Sequence, residues 1–326
     1  MKKVIGMGNA LVDILIRIEN DDILSELGFP RGSMTLVDKV KSNLVLELTE
    51  EVERVKSNGG SVANTMNGLA RLGAPAGYVG KVGDDEFGEF FNSDLVRNKI
   101  EARLFKGTQD TGKCVSLVSA DSERTMATYL GAAIELNAGD LSVDIFRGYD
   151  YFLLEGYLVQ NHDLVRRAVE LAREAGNEIA VDLSSFNVVE ENIDFLKPIV
   201  ADYIDIVFAN EDEAKAFTGI SEPEKALVDI AQTCKLAVVK IGAEGSLIKE
   251  GENMYRIPPI EADAIDTTGA GDLYQAGFFY GLSKGYSLDI CGRIGSITAG
   301  KTVEVMGAKM GEEKWQEVED MIGAMV

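Results

Sequence analysis

Short apolar runs alternate with helix-period segments along most of this chain, and that alternation leaves few folds open. The runs at 4–7, 151–154, 179–181, 206–208 and 236–239 are apolar at nearly every position, so each predicts a strand buried on both faces. Between them, segments 164–175, 192–200 and 225–234 carry apolar residues at helical spacing. Strands and helices in that order predict an α/β fold with a mostly parallel sheet covered by helices on both faces, a three-layer α/β/α arrangement. Two stretches break the rhythm. Residues 34–37, and a pair at 114–119 and 124–129 turning at Asp121-Ser122, read as antiparallel ribbon. With 11–18 they predict a small β-sheet lid on the main sheet. No repeat, low-complexity tract or linker composition divides the chain. A single domain over 1–326 is expected, its lid drawn from 10–18, 33–38 and 111–131.

Chemistry concentrates in Asp266-Thr267-Thr268-Gly269-Ala270-Gly271-Asp272, which runs into the helix-period segment Leu273-Tyr274-Gln275-Ala276-Gly277-Phe278. Small residues let a ligand approach the backbone, and the first N–H groups of a helix have no partners within it. Such a helix start attracts phosphate. A carboxylate at Asp272 opposes that attraction unless it takes a proton from whatever attacks the phosphorus. A general base beside anion-stabilising amides suits phosphoryl transfer to a hydroxyl. Taken alone, the segment is more often a tight turn with an acidic residue at a helix start.

Composition removes other classes. A net charge of −22 argues against nucleic acid, whose phosphates need a basic footprint, and against anionic membrane surfaces. No apolar run is long enough to span a bilayer, and no signal peptide is apparent, so a cytoplasmic protein is expected. Cys114, Cys234 and Cys291 are scattered, which suggests neither a disulfide framework nor a zinc site. The only histidine, His162, reads as structural near a helix start, so acid–base work falls to other residues. Clustered metal ligands for a hydrolase are lacking. Gly295-Ser296-Ile297-Thr298-Ala299-Gly300-Lys301-Thr302 matches a phosphate-loop pattern, yet it follows a helix-like segment where such a loop needs a strand. Gly107-Thr108-Gln109-Asp110-Thr111-Gly112-Lys113-Cys114 ends in Cys where a hydroxyl belongs, and Gly6-Met7-Gly8 meets Leu11 where a dinucleotide site needs its third glycine.

Asp266-Thr267-Thr268-Gly269-Ala270-Gly271-Asp272 resembles the C-terminal signature of the ribokinase-like (PfkB) carbohydrate kinases. Gly59-Gly60-Ser61-Val62-Ala63-Asn64, Gly80-Lys81-Val82-Gly83-Asp84-Asp85-Glu86-Phe87-Gly88, Asn210-Glu211-Asp212-Glu213 and Lys240-Ile241-Gly242-Ala243-Glu244-Gly245 resemble its other signatures, in the family's order over essentially the whole chain. Gly8-Asn9-Ala10-Leu11-Val12-Asp13, the Gly-Gly-Ser-x-x-Asn segment and Thr111-Gly112-Lys113-Cys114 are similar to the adenosine-kinase-like branch. The resemblance implies a ribokinase-like fold and ATP-dependent transfer of the γ-phosphoryl group to a primary hydroxyl. It assigns Asp272 as base and Gly269, Ala270 and Gly271 as anion hole.

Acceptor contacts follow from residues and resemblance together. Asp13 can accept two hydroxyl hydrogen bonds at once, which suits a vicinal diol; read alone it is equally a turn or cap residue. The resemblance gives the acceptor Asn9, Asp13, Gly59, Gly60, Ser61 and Asn64. Cys114 and Met126 are expected to form an apolar cover and Tyr157 an aromatic face, with Arg124 in reach of a polar acceptor. A nucleoside, adenosine first, is favoured over a free sugar of the ribokinase or fructokinase type, which stays open. On the donor side the resemblance implies Asn210, Glu213, Lys240, Gly242, Gly245, Thr267 and Gly300 for ATP. Mg²⁺ is held near Glu213 through water, and in some relatives a monovalent cation such as K⁺ binds beside Asp266 and Thr268. Asn210 also reads as a helix cap, and Lys240 as a solvated strand end. A small-molecule substrate and a monomer or homodimer are expected. A regulator that binds without turnover would lack the base or the anion hole, and both are present.

Overall fold

The computed structural model describes residues 1–120 and 123–326, so the turn expected at Asp121-Ser122 lies outside the described residues. The described strands are, in chain order, β1 (Val4–Met7), β2 (Leu11–Arg17), β3 (Met34–Leu36), β4 (Arg54–Gly59) and β5 (Ala76–Val82). There follow β6 (Glu101–Lys106), β7 (Gly112–Val118), β8 (Arg124–Tyr129), β9 (Tyr151–Glu155) and β10 (Glu178–Asp182). The last are β11 (Ile206–Asn210), β12 (Leu236–Lys240), β13 (Ser246–Glu250) and β14 (Asn253–Ile257).

A nine-stranded sheet runs in the order β14-β13-β12-β11-β10-β9-β1-β5-β6. It is parallel from β12 to β6, and β13 and β14 pair antiparallel at one edge. Period 2 explains the continuous apolar runs: Val4, Leu153, Phe208 and Val238 face one core, while Ile5, Leu154, Val207 and Val239 face the other. The first core is closed by helices Ser61–Arg71, Ala270–Lys284, Leu288–Thr302 and Glu312–Met325, contributing Leu69, Phe278, Ile294 and Trp315 among others. Helices His162–Glu174, Ile193–Tyr203, Glu211–Thr218 and Pro223–Ile230 close the second, with Val165, Leu196, Phe217 and Leu227. This is the expected three-layer α/β/α fold. His162 opens its helix, its Nε2–H donating to Asn192 Oδ1 at 3.1 Å and its ring stacking on Phe195 at 3.9 Å, as a structural histidine should.

A second sheet of five strands has the order β3-β8-β7-β2-β4. It differs from the expected ribbon in two respects. β3 pairs parallel with β8 and β2 parallel with β7, so among the expected lid strands only β7 and β8 form an antiparallel pair. β4 joins as an unforeseen edge, antiparallel to β2 from Leu11 opposite Gly59 to Ile16 opposite Arg54. Arg54-Val55-Lys56-Ser57-Asn58-Gly59 has one large apolar residue and no alternation, so pairing with β2, not local pattern, makes it a strand. One face of this sheet, with Ile14, Ile16, Val115, Leu117 and Ala127, is fully buried in the first core together with Val45 and Phe91. Register puts Asp13 beside Cys114 and Ser116 beside Met126 on the opposite, half-open face.

Candidate active site

In open α/β sheets ligands gather outside the carboxyl ends of the parallel strands, where the strand order reverses. Here β1 lies between β9 and β5, and polar residues crowd that edge. Asn9 follows β1. Glu155, Asp182, Asn210 and Lys240 end β9, β10, β11 and β12, with Asp182 in register with Glu155 and Lys240 with Asn210. A cavity of about 380 Å³ lined by Arg173, Asp205 and Lys235 lies at the opposite, amino end of β11 and β12, away from this chemistry.

Asp272 sits in the first turn of helix Ala270–Lys284 and joins two helix starts. Ser61 Oγ donates to its Oδ1 at 2.7 Å and Asn64 Nδ2 to its Oδ2 at 3.0 Å, while Thr65 Oγ1 donates to its carbonyl at 3.1 Å. Burial pushes its carboxyl up to about 6, Ser61 and Asn64 opposing, Asp182 adding to the rise and Lys240 opposing it. Gly269 precedes the helix at φ 76°, a conformation that favours glycine. The Ala270 N–H donates to the Thr267 carbonyl at 3.2 Å, whereas the Gly269 and Gly271 N–H groups, the other two expected anion-hole amides, have no partner among the described residues. A Cβ on Gly271 would lie 3.1 Å from Lys240 Nζ. Lys240 is no solvated strand end: its ammonium lies 3.4 Å from Asp182 Oδ1. Burial would lower its pKa, yet the charges of Asp182, Glu213 and Asp272 outweigh that and raise it. A fixed cation and free amides at one helix start form a cradle for phosphate.

Across the cleft, Asp13 lies over Gly59, where a Cβ would stand 2.1 Å from its Oδ1. Burial raises this carboxyl to about 6, Lys309 and Arg124 oppose the rise, and Asp272 adds to it. Gly60, at φ 92°, passes the Asn9 carbonyl so closely that a Cβ would sit 2.3 Å from it. The Asn9 donors are taken up by Glu155 Oε1, at 3.1 Å from the main-chain N and 2.8 Å from Nδ2. Cys114 neighbours Asp13 in the ladder; burial and the Asp13 charge push its thiol up to about 12. Tyr157 is 38% exposed. It follows β9 two residues after Glu155, and burial and then the charges of Glu155, Asp182, Glu213 and Asp272 raise its phenol.

Asn210 caps helix Glu211–Thr218 reciprocally. Its N–H and Nδ2 donate to the two Glu213 carboxylate oxygens, each at 2.8 Å, and the Glu213 N–H donates to Asn210 Oδ1 at 2.8 Å. Burial and the Asp182 charge raise the Glu213 carboxyl. Gly242 and Gly245 turn β12 into β13 with φ 54° and 97°, and a Cβ on Gly245 would meet the Ile257 carbonyl at 2.0 Å. Gly300 packs against Ile260. At none of the three does an added Cβ meet Asp272 or Lys240 among its nearest atoms. Among the described residues no cluster of three or more His, Cys, Asp or Glu is arranged to hold a metal.

Sequence reasoning missed Glu155, Asp182 and Lys309. The first two were signalled, since each directly follows an expected strand. Lys309 gave no signal.

The profile of the pfkB family carbohydrate kinases matches residues 32–315. The chain belongs to this family. Its members are phosphotransferases acting on hydroxyl groups, and this chain is one of them. It is 27% identical to the adenosine kinase of Schizophyllum commune over 97% of this chain and 98% of that one. It is 28% identical to an uncharacterized sugar kinase of Archaeoglobus fulgidus over 75% of this chain and 97% of that one. The crystal structure of adenosine kinase from Sinorhizobium meliloti superposes with a TM-score of 0.86 at 34% identity, covering 98% of this chain and 99% of that one. Among the described residues no helix is long and apolar enough to cross a membrane.

Proposed function

We propose that this kinase transfers the γ-phosphoryl group of ATP to a primary hydroxyl of a nucleoside, with adenosine the first candidate. The observation that carries the reading is the position of Asp272, hydrogen-bonded by Ser61 and Asn64 on the acceptor side and adjoining Lys240 and the free Gly269 and Gly271 amides. As the acceptor oxygen bonds to phosphorus and the bond to ADP breaks, Asp272 takes the hydroxyl proton. Lys240 and the two amides hold the charge on the transferring group, and the Ala270 amide joins them if its turn bond is shared. Asp13 and Asn64 orient the acceptor, and the five-stranded sheet covers it and excludes water. The half-buried Cys114 beside Asp13, with the half-buried Met126 one strand farther on the same face, suits a base. The adenosine kinases among the relatives support a nucleoside, and the sugar kinases among them keep a free sugar as the second reading.

Both oxygens of Glu213 are already bonded to Asn210, so Asn210 and Glu213 fit Mg²⁺ held through water and not directly. When bound with the nucleotide, Mg²⁺ supplies neutralising charge to the phosphates. The residues beside Asp266 do not fit a monovalent cation. Arg124 Nη2 lies 2.9 Å from Asp266 Oδ2, and Nη1 donates to Thr268 Oγ1 at 3.2 Å. No step is therefore routed through K⁺.

The test is ATP-to-ADP turnover with Mg²⁺ against adenosine, inosine, guanosine, ribose and fructose. Turnover with adenosine is expected. Turnover with a free sugar alone would overturn the nucleoside reading, and none with any hydroxyl acceptor would overturn the site.

A further inference from the structure

Lys309 lies in the segment between helices Leu288–Thr302 and Glu312–Met325. Its Nζ is buried and makes no hydrogen bond within the protein. An ammonium in that position is costly, because burial favours the neutral amine unless a partner is supplied. The segment around it is fixed. The Gly307 N–H donates to Asp266 Oδ2 at 2.7 Å, Ala308 packs against Gly269 so closely that a Cβ there would lie 2.3 Å from the Ala308 Cβ, and Met310 is buried in the first core. The loop that buttresses the anion hole thus holds the ammonium in place. Burial lowers the pKa of Lys309, against the opposing charges of Asp94, Asp13 and Asp272.

Two further polar groups of the acceptor side share this condition. Asn64 Oδ1 is buried and unpartnered, since the amide is used only through Nδ2. No hydrogen bond from any described residue reaches the Asp13 carboxylate. A carboxylate and an amide oxygen can only accept, and an ammonium can only donate. A hydroxyl does both.

We infer that Lys309 is an acceptor-binding residue: it donates to a ring hydroxyl oxygen whose proton is accepted by Asp13 or Asn64. This rests on the kinase reading above and adds a specificity determinant to it. A site with a buried donor of this kind rejects an analogue lacking the matching oxygen, because the ammonium is then left unpaired.

The test uses the full chain, Lys309→Met and Lys309→Arg, with calorimetric binding of adenosine, ribose and their 2-deoxy and 3-deoxy forms, and turnover of whichever acceptor is phosphorylated. Lys309→Met should raise the acceptor Kd and KM about 10- to 100-fold, the loss of one charged hydrogen bond, and leave the ATP KM unchanged. It should flatten the preference of the wild type for the hydroxylated over the deoxy acceptor, with partial recovery in Lys309→Arg. Its Tm should hold or rise, since an unpaired buried charge is removed; a structural lysine would lower Tm and leave the deoxy preference intact. Equal acceptor binding and equal deoxy discrimination in wild type and Lys309→Met would overturn the inference alone. No binding of any probe by the wild type would overturn the proposed nucleoside acceptor, and the inference with it.

Discussion

Arg124 Nη2 reaches Asp266 Oδ2 at 2.9 Å, an ion pair in which each side chain is only 9% exposed. It ties β8 of the smaller sheet to the segment leading into helix Ala270–Lys284. Burial would raise the Asp266 carboxyl, yet the Gly307 and Thr268 N–H groups and Arg124 hold it below its ordinary value. Arg124→Met leaves that carboxylate without its cation and should cost about 3–5 kcal/mol, as breaking a buried pair does. Thermal unfolding should show a lower Tm, with part of the loss recovered in Arg124→Met/Asp266→Asn. Wild-type turnover should be equal in potassium and choline buffers; a potassium requirement would show that the guanidinium does not fill this position.

Asp272→Asn preserves the shape of the residue and removes its basicity. The turnover number should fall about 10²- to 10⁴-fold, with acceptor affinity by calorimetry close to wild type. Near-normal turnover would remove Asp272 as the base.

The acidic limb of kcat/KM should rise with pH through about 6, where Asp272 becomes deprotonated and able to accept the proton. Asp13 titrates in the same range, so the limb belongs to both groups. The profile of Asp13→Asn decides between them: Asp272 predicts that the limb survives at reduced kcat/KM.

Gly59→Ala places a methyl 2.1 Å from Asp13 Oδ1, and one of the two must move. Acceptor KM should rise about tenfold or more, because an overpacked contact of this kind costs about 1–3 kcal/mol, while the ATP KM stays put. An unchanged acceptor KM would take Asp13 out of the acceptor site.

Glu155 is 1% exposed, and burial lifts its carboxyl from 4.5 to about 7 against the opposing Asn9 and Val62 N–H groups. The folded state therefore holds this proton more tightly than the unfolded chain. Its contribution is complete below about 4.5 and is lost as pH rises through about 7, on the order of 3 kcal/mol. Wild-type Tm should fall between pH 5 and pH 8, and Glu155→Gln should flatten the fall. A wild-type Tm that climbs over that interval contradicts the assignment.

The strands buried on both faces were readable to within a residue or two because tertiary context and local composition agree there; β1 at Val4–Met7 coincides with its run. β4 was not, because its pairing with β2, and not its composition, decides its state. Asp272 and its helix start were legible as a compact motif, as were Ser61 and Asn64, which hydrogen-bond to it. Lys240 read alone could be solvated, and only the convergence of β10, β12 and helix Ala270–Lys284 brings it to Gly271. Lys309 is one lysine among many in an acidic chain, and what sets it apart is where its loop is anchored, more than 290 residues of sequence away from Asp13 (309 − 13 = 296).

Residues 8–10 are all that separate β1 from β2, and the chain returns from β4 to helix Ser61–Arg71 through Gly60 alone. A connection that short has no slack. A rotation of the five-stranded sheet would turn the torsions of residues 8–10 and of Gly60, and on the proposed reading Asn9 and Gly60 are also acceptor contacts. On that reading hinge and grip share bonds, so opening the cover also loosens the hold on what lies beneath it.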